Sequence, residues 1–270
     1  MKLGIISGNR LLPLILAKKI KQKDNNQEII AFCFKQETNP SITKYVDKTY
    51  WLSVGRLGAL QEALKKEKIT KCIMAGQINP LRVFDKRGWD KEMAGLISSI
   101  KDFRSHNIFT GIIEYLEAKG IEFISSIEHL GDELAQPGSM NGIYPKQAYS
   151  EDIDFGVGVI SRFVELDVGQ TIVVKSRITV ALESLEGTDR TIQRAYKLGG
   201  KDCTVLKFSK ANQDLRFDVP VVGMSTLGLL KRIKAHSLVL EKDRVIILEK
   251  DKFLNFARKQ NIAIIGRSKE

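Results

Sequence analysis

Short apolar runs alternate with amphipathic segments through the first half of the chain. Lys2–Ser7, Glu28–Phe34, Thr49–Leu52, Lys71–Ala75 and Ile121–Ser125 are compact β-like runs. Between them, Leu11–Gln22, Gly58–Lys68, Lys91–Ser99 and Asn107–Lys119 carry apolar residues at helical spacing. A short apolar run bounded by turn formers reads as a buried strand, and a 3.6-residue period reads as a helix burying one face. Strands that alternate with helices predict right-handed βαβ units around a parallel sheet.

Turn formers then accumulate. Glu128-His129-Leu130-Gly131-Asp132-Glu133 leads into Gln136-Pro137-Gly138-Ser139-Met140-Asn141-Gly142. Such clusters punctuate element ends. The pattern predicts a first domain over residues 1–132, a linker over 133–145 and a second domain over 146–270. In the second domain, Asp152–Val164, Arg190–Leu198 and Lys252–Lys259 read as helices. Ile172–Val174, Thr179–Leu182, Cys203–Phe208, Val219–Val222, Ser237–Leu240, Val245–Leu248 and Ile262–Ile265 read as strands, again an α/β pattern.

Length and composition narrow the class. At 270 residues, 43% hydrophobic and 28% charged, the chain is long enough for one large domain or two ordinary ones. Lys and Arg outnumber Asp and Glu by 43 to 32, a net charge of +11. That surplus suits anionic partners, or else a lysine-rich solvated surface. Nucleic acid is disfavoured as the partner, because aromatics are 7% of the chain and do not interleave with the basic residues. Cys33, Cys72 and Cys203 are far apart and have no zinc spacing, which predicts free thiols in a reducing compartment. The first apolar run is too short for a signal peptide, and none approaches the roughly 20 residues that span a bilayer. The expectation is a cytoplasmic, soluble protein.

Three constellations carry candidate chemistry. Ser7-Gly8-Asn9-Arg10 follows the first strand and precedes a helix, so Gly8 and Asn9 can bring backbone N–H groups close to an anion. It is not a dinucleotide fingerprint, and a ligand-free βα turn explains it equally. Ala75-Gly76-Gln77-Ile78-Asn79-Pro80 follows another strand and falls on the same sheet edge, where open α/β sheets bind ligands. There, Gln77 and Asn79 are candidates to hydrogen-bond a ribose or base, and Arg82 to meet a phosphate. The third is the acidic turn Glu183-Ser184-Leu185-Glu186-Gly187-Thr188-Asp189 with the basic run Lys207, Lys210, Gln213, Arg216, Asp218. Carboxylates that hold a divalent cation, beside cations that hold phosphate oxygens, are the parts of a phosphoryl-transfer site. Two blander readings compete: Thr188 or Asp189 as a helix N-cap, and the basic run as a charged edge strand. His106, His129 and His236 have no paired spacing.

The ordered set Ser7-Gly8-Asn9-Arg10-Leu11-Leu12-Pro13, Ala75-Gly76-Gln77-Ile78-Asn79, Leu166-Asp167-Val168-Gly169-Gln170, Glu186-Gly187-Thr188-Asp189 and Lys207 to Pro220 resembles a known family over nearly the full length. It looks like the UDP-2,3-diacylglucosamine pyrophosphatases of alpha-proteobacteria and many other Gram-negative bacteria. The resemblance implies hydrolysis of that nucleotide lipid to UMP and 2,3-diacylglucosamine 1-phosphate in lipid A synthesis. It implies magnesium or another divalent cation as cofactor. It implies an N-terminal Rossmann-like parallel-sheet domain, a distinct C-terminal α/β domain and a substrate cleft between them. The family's essential aspartate falls on Asp218. Glu186, Asp189 and Asp218 are then the candidate metal ligands, and Gly8, Asn9, Gly76, Asn79, Thr188, Lys207, Lys210, Gln213 and Arg216 the candidate substrate contacts. The basic surface would favour peripheral contact with the cytoplasmic face of the inner membrane. The rival reading is a non-catalytic protein that binds a nucleotide or an anionic lipid with the same turns and cations.

Overall fold

The structure is a computed structural model that describes residues 2–100 and 105–270. It divides into two compact units, Met1–His129 with Leu215–Phe217, and Leu130–Asp214 with Asp218–Glu270. Both are α/β.

The first unit holds a five-stranded, all-parallel sheet. Its strands are β1 (Leu3–Ser7), β2 (Ile29–Phe34), β3 (Lys48–Leu52), β4 (Lys71–Ala75) and β5 (Glu122–Ile124), in the order β3-β2-β1-β4-β5. β1 and β2 are buried at every position. That is why their sequences are continuous apolar runs rather than alternating ones. The crossovers use helices α1 (Leu12–Lys23), α2 (Leu57–Lys66), α3 (Lys91–Ser99) and α4 (Ser105–Glu117). Pro13 sits in the first turn of α1, where its missing N–H costs nothing. Ile6, Phe32, Phe34, Leu60, Leu64, Ile108, Ile113 and Leu116 belong to one buried cluster, against which Phe217 packs. The Phe217 ring lies 5.8 Å from Phe109 and 5.3 Å from His106.

The second unit holds a six-stranded mixed sheet. Its strands are β6 (Gly138–Ser139), β7 (Thr171–Lys175), β8 (Ile178–Leu182), β9 (Thr204–Lys207), β11 (Ser237–Glu241) and β13 (Ala263–Arg267), in the order β6-β13-β11-β9-β7-β8. β9, β11 and β13 run parallel, while β7 is antiparallel to β9 and to β8. A separate parallel pair joins β10 (Val221–Val222) to β12 (Ile246–Ile247). The helices are α5 (Gln147–Phe163), α6 (Thr188–Gly199), α7 (Met224–Arg232) and α8 (Lys250–Lys259). α5 starts five residues before its apolar spacing begins. α7 has no clear sequence signal, because Gly228 interrupts it and lowers its propensity. His236 stacks on Tyr149 with ring centroids 3.5 Å apart. Burial pushes the pKa of His236 down, the mark of a packed histidine. Among the described residues, no helix is long and apolar enough to cross a membrane.

Candidate functional site

In the first unit, two glycine turns meet at the carboxyl end of the parallel sheet. Gly8 N donates to Ala75 O at 2.8 Å, and Asn9 N donates to Gln77 O at 2.6 Å. A Cβ on Gly8 would lie 2.3 Å from Gln77 O. Gly76 has φ +85°, and a Cβ there would lie 2.6 Å from Asn9 O. Both positions therefore exclude side chains for steric reasons, before any ligand is considered.

Glu37, just beyond β2, ties the two turns together. Its carboxylate accepts from Asn9 Nδ2 at 2.8 Å and from Asn79 N at 3.2 Å. It also pairs with Arg82 Nε at 2.9 Å, and its side chain is only 4% exposed. Arg82 is held further by Gln36 Oε1 at 2.5 Å. Its guanidinium is thus paired within the turn region. Nothing in the sequence marks Glu37, which reads there as an ordinary polar turn residue. Ser7 Oγ and Asn9 Oδ1 are buried with no hydrogen-bond partner among the described residues.

In the second unit, the acidic turn and the basic run converge on Thr188. Gly187 occupies the N-cap position of α6 with φ +78°, and Thr188 is the first helical residue. The reading of Thr188 or Asp189 as the cap is thereby corrected. A residue at that positive φ is best supplied by glycine, so the helix begins at Thr188 and the hydroxyl is released for other contacts. Thr188 Oγ1 accepts from Lys207 Nζ at 2.8 Å, lies 3.2 Å from Thr171 Oγ1 and donates toward Glu183 Oε1 at 3.3 Å. Thr171, Glu183 and Lys207 are all buried. β9, which ends in Lys207, lies between β7 and β11, so the edge-strand reading of the basic run is also corrected. Thr171 was missed, because a threonine opening a strand signals only β-propensity.

The remaining candidates have partners of their own. Lys210 Nζ pairs with Asp167 Oδ1 at 3.2 Å, and Lys210 N donates to Gln213 Oε1 at 2.9 Å. Asp218 closes a turn with its N–H on Asp214 O at 2.9 Å. Arg216 belongs to the first unit, where it pairs with Glu117 Oε1 at 2.8 Å. Glu186 pairs with Arg194 at 2.5 Å and accepts from Thr191 Oγ1 at 3.1 Å. The Arg194 hydrogen bond holds the Glu186 carboxyl below the ordinary glutamate range. Asp189 accepts from Thr226 Oγ1 at 3.3 Å. Among the described residues, no group of three or more His, Cys, Asp or Glu is placed to hold a metal ion. Magnesium does not require such a cage, since it usually keeps waters and binds through one or two carboxylates plus substrate phosphates.

Comparison with known proteins gives a full-length match. A family model described as the LpxI N-terminal domain matches residues 2–132, and one described as the LpxI C-terminal domain matches residues 136–265. The UDP-2,3-diacylglucosamine pyrophosphatase LpxI of Caulobacter vibrioides is 24% identical over 277 residues, which span 98% of this chain and 97% of that protein. Solved structures are more remote. The biotin carboxylase domain of a thermophilic 2-oxoglutarate carboxylase bound to ADP is 12% identical with a TM-score of 0.26, covering 64% of this chain and 34% of that one. The corresponding domain dimer from Hydrogenobacter thermophilus is 13% identical, also at 0.26, covering 73% and 40%. At that TM-score neither carries a structural argument.

Proposed function

The chain belongs to the LpxI family, and on that premise we propose that it hydrolyses the diphosphate of UDP-2,3-diacylglucosamine. The products would be UMP and 2,3-diacylglucosamine 1-phosphate, a step of lipid A synthesis. The observation that carries this reading is the ordered match of both family domains along nearly the whole chain.

The local chemistry supports it. A diphosphate repels an attacking water until its charge is neutralised. Lys207 offers a buried ammonium, oriented by Thr188 at the first residue of α6. The N-terminal N–H groups of that helix favour the same anion. Lys210 would add a second cation, and Asp218 would orient the water or hold the metal. Magnesium would supply further neutralisation of the diphosphate. Glu186, Asp189 and Asp218 are the candidates to hold it, Glu186 being paired with Arg194 as well.

The test is an assay of the purified protein with the nucleotide lipid in detergent, with chelator and then with magnesium restored. UMP and the lipid 1-phosphate should appear with magnesium and vanish with chelator. A folded protein that binds the lipid but releases neither product would leave the non-catalytic reading in its place.

A further inference from the structure

A second buried carboxylate stands at the carboxyl edge of the second sheet. Glu241 ends β11, one residue past Leu240, which is paired with Lys207 of β9. Its Oε2 accepts from Ser209 N at 2.6 Å and from Ser209 Oγ. Glu241 and Ser209 are both buried. Lys269 Nζ lies 3.5 Å from Glu241 Oε1 and 3.4 Å from Ser209 Oγ. Stability does not account for this carboxylate. Taking such a group out of water is costly, and an apolar residue of similar size is often as stable in its place.

The place of Ser209 suggests what Glu241 is for. Ser209 stands between Lys207 and Lys210, the two cations proposed for phosphate. A chain that leaves a strand end is ordinarily free to vary its path. Here it is pinned on both sides. Phe208 N donates to Gln170 O at 2.9 Å on the β7 side, and Ser209 donates to Glu241 on the β11 side. Lys210 therefore leaves the main chain from a fixed point. Its ammonium pairs with the half-exposed Asp167, and such a pair is worth little in water, so a phosphate can draw the cation from it.

We propose that Glu241 is a positioning residue for phosphate binding. Through Ser209 it fixes the main chain between Lys207 and Lys210, so that both cations meet one diphosphate without prior reorganisation. This purpose rests on the proposed hydrolysis, which assigns a diphosphate to the segment.

Calorimetric titration of the full chain with inorganic pyrophosphate and magnesium tests the role without any turnover of lipid. The unaltered chain should bind. Glu241→Ala removes both hydrogen bonds to Ser209 and should weaken binding about tenfold. Glu241→Gln keeps an acceptor oxygen for Ser209 and should stay within about twofold of the unaltered chain. Lys210→Ala should cost less in the Glu241→Ala protein than in the unaltered one, because a cation already misplaced has little left to lose. A purely structural Glu241 would instead lower the melting temperature and leave the affinity of the folded protein alone. Should Glu241→Ala not fold, Ser209→Ala decides: it removes the hydroxyl bond alone and should weaken binding about fivefold. The proposal is overturned by an unaltered chain that does not bind, by unchanged affinity in folded Glu241→Ala or in Ser209→Ala, by equal losses in Glu241→Ala and Glu241→Gln, or by additive effects with Lys210→Ala. Pyrophosphate binding that follows this pattern, without release of UMP from the nucleotide lipid, would overturn the hydrolysis and leave the positioning role in place.

Discussion

Lys207 Nζ donates to Thr188 Oγ1 at 2.8 Å, joining the last residue of β9 to the first residue of α6. Lys207 is 3% exposed, so its ammonium gives up hydration in return for a fixed position. A cation fixed in advance needs little reorganisation as charge develops on a phosphate. Lys207→Ala should lower kcat/KM by roughly 10²- to 10³-fold, mostly in kcat. Steady-state kinetics on protein with an unchanged circular dichroism spectrum checks this. A folded variant within about threefold of the parent would remove Lys207 from the chemistry.

Asp218 carries a different prediction. Its backbone N–H closes a turn on Asp214 O, a contact that Asp218→Asn preserves. The substitution is close to isosteric, so it should leave folding and substrate affinity nearly unchanged. It should lower turnover by about 10³-fold if the carboxylate orients water or holds the cation. Calorimetric binding of the nucleotide lipid, beside turnover, separates the two effects. Affinity and turnover lost together would point to a binding role instead.

The strands were legible because sheets buried on both faces demand unbroken apolar runs, as in β1 and β2. Thr188 and Lys207 were legible as candidates but not as a pair, since 19 residues separate them and only the sheet topology joins them. Glu37 was illegible for a related reason. Its partners Asn9 and Asn79 lie 28 and 42 residues away, and a carboxylate in a turn carries no local mark of burial. Arg216 was legible only as a cation close in sequence to Lys210. That Leu215–Phe217 belongs to the first unit, and that Arg216 pairs with Glu117, depends on contacts 99 residues apart that leave no local mark.

Gly8→Ala tests whether the first glycine turn is steric in origin. The added Cβ would meet the backbone oxygen of Gln77 at 2.3 Å, and a backbone atom cannot swing aside like a side chain. The substitution should cost about 1–3 kcal/mol and lower the melting temperature by several degrees. An unchanged melting temperature with lost activity would mean that the glycine serves a ligand rather than the crossing of the two turns.

Glu67 makes the first unit sensitive to acid. Its side chain is 7% exposed and accepts from Lys48 Nζ at 2.5 Å, Tyr50 Oη at 2.5 Å and Lys2 Nζ at 3.1 Å. The Lys48 hydrogen bond, then those from Tyr50 and Lys2, hold its pKa at about 2 against an ordinary 4.5. A carboxyl whose pKa falls on folding stabilises the native state above the unfolded value and loses that contribution as pH drops through the folded one. Glu67→Gln should therefore lower the melting temperature most near pH 7. The gap between parent and variant should hold down to about 4.5 and narrow toward about 2. Melting curves across that range decide the matter: a gap that stays constant with pH would mean that Glu67 contributes shape and hydrogen bonds but no charge.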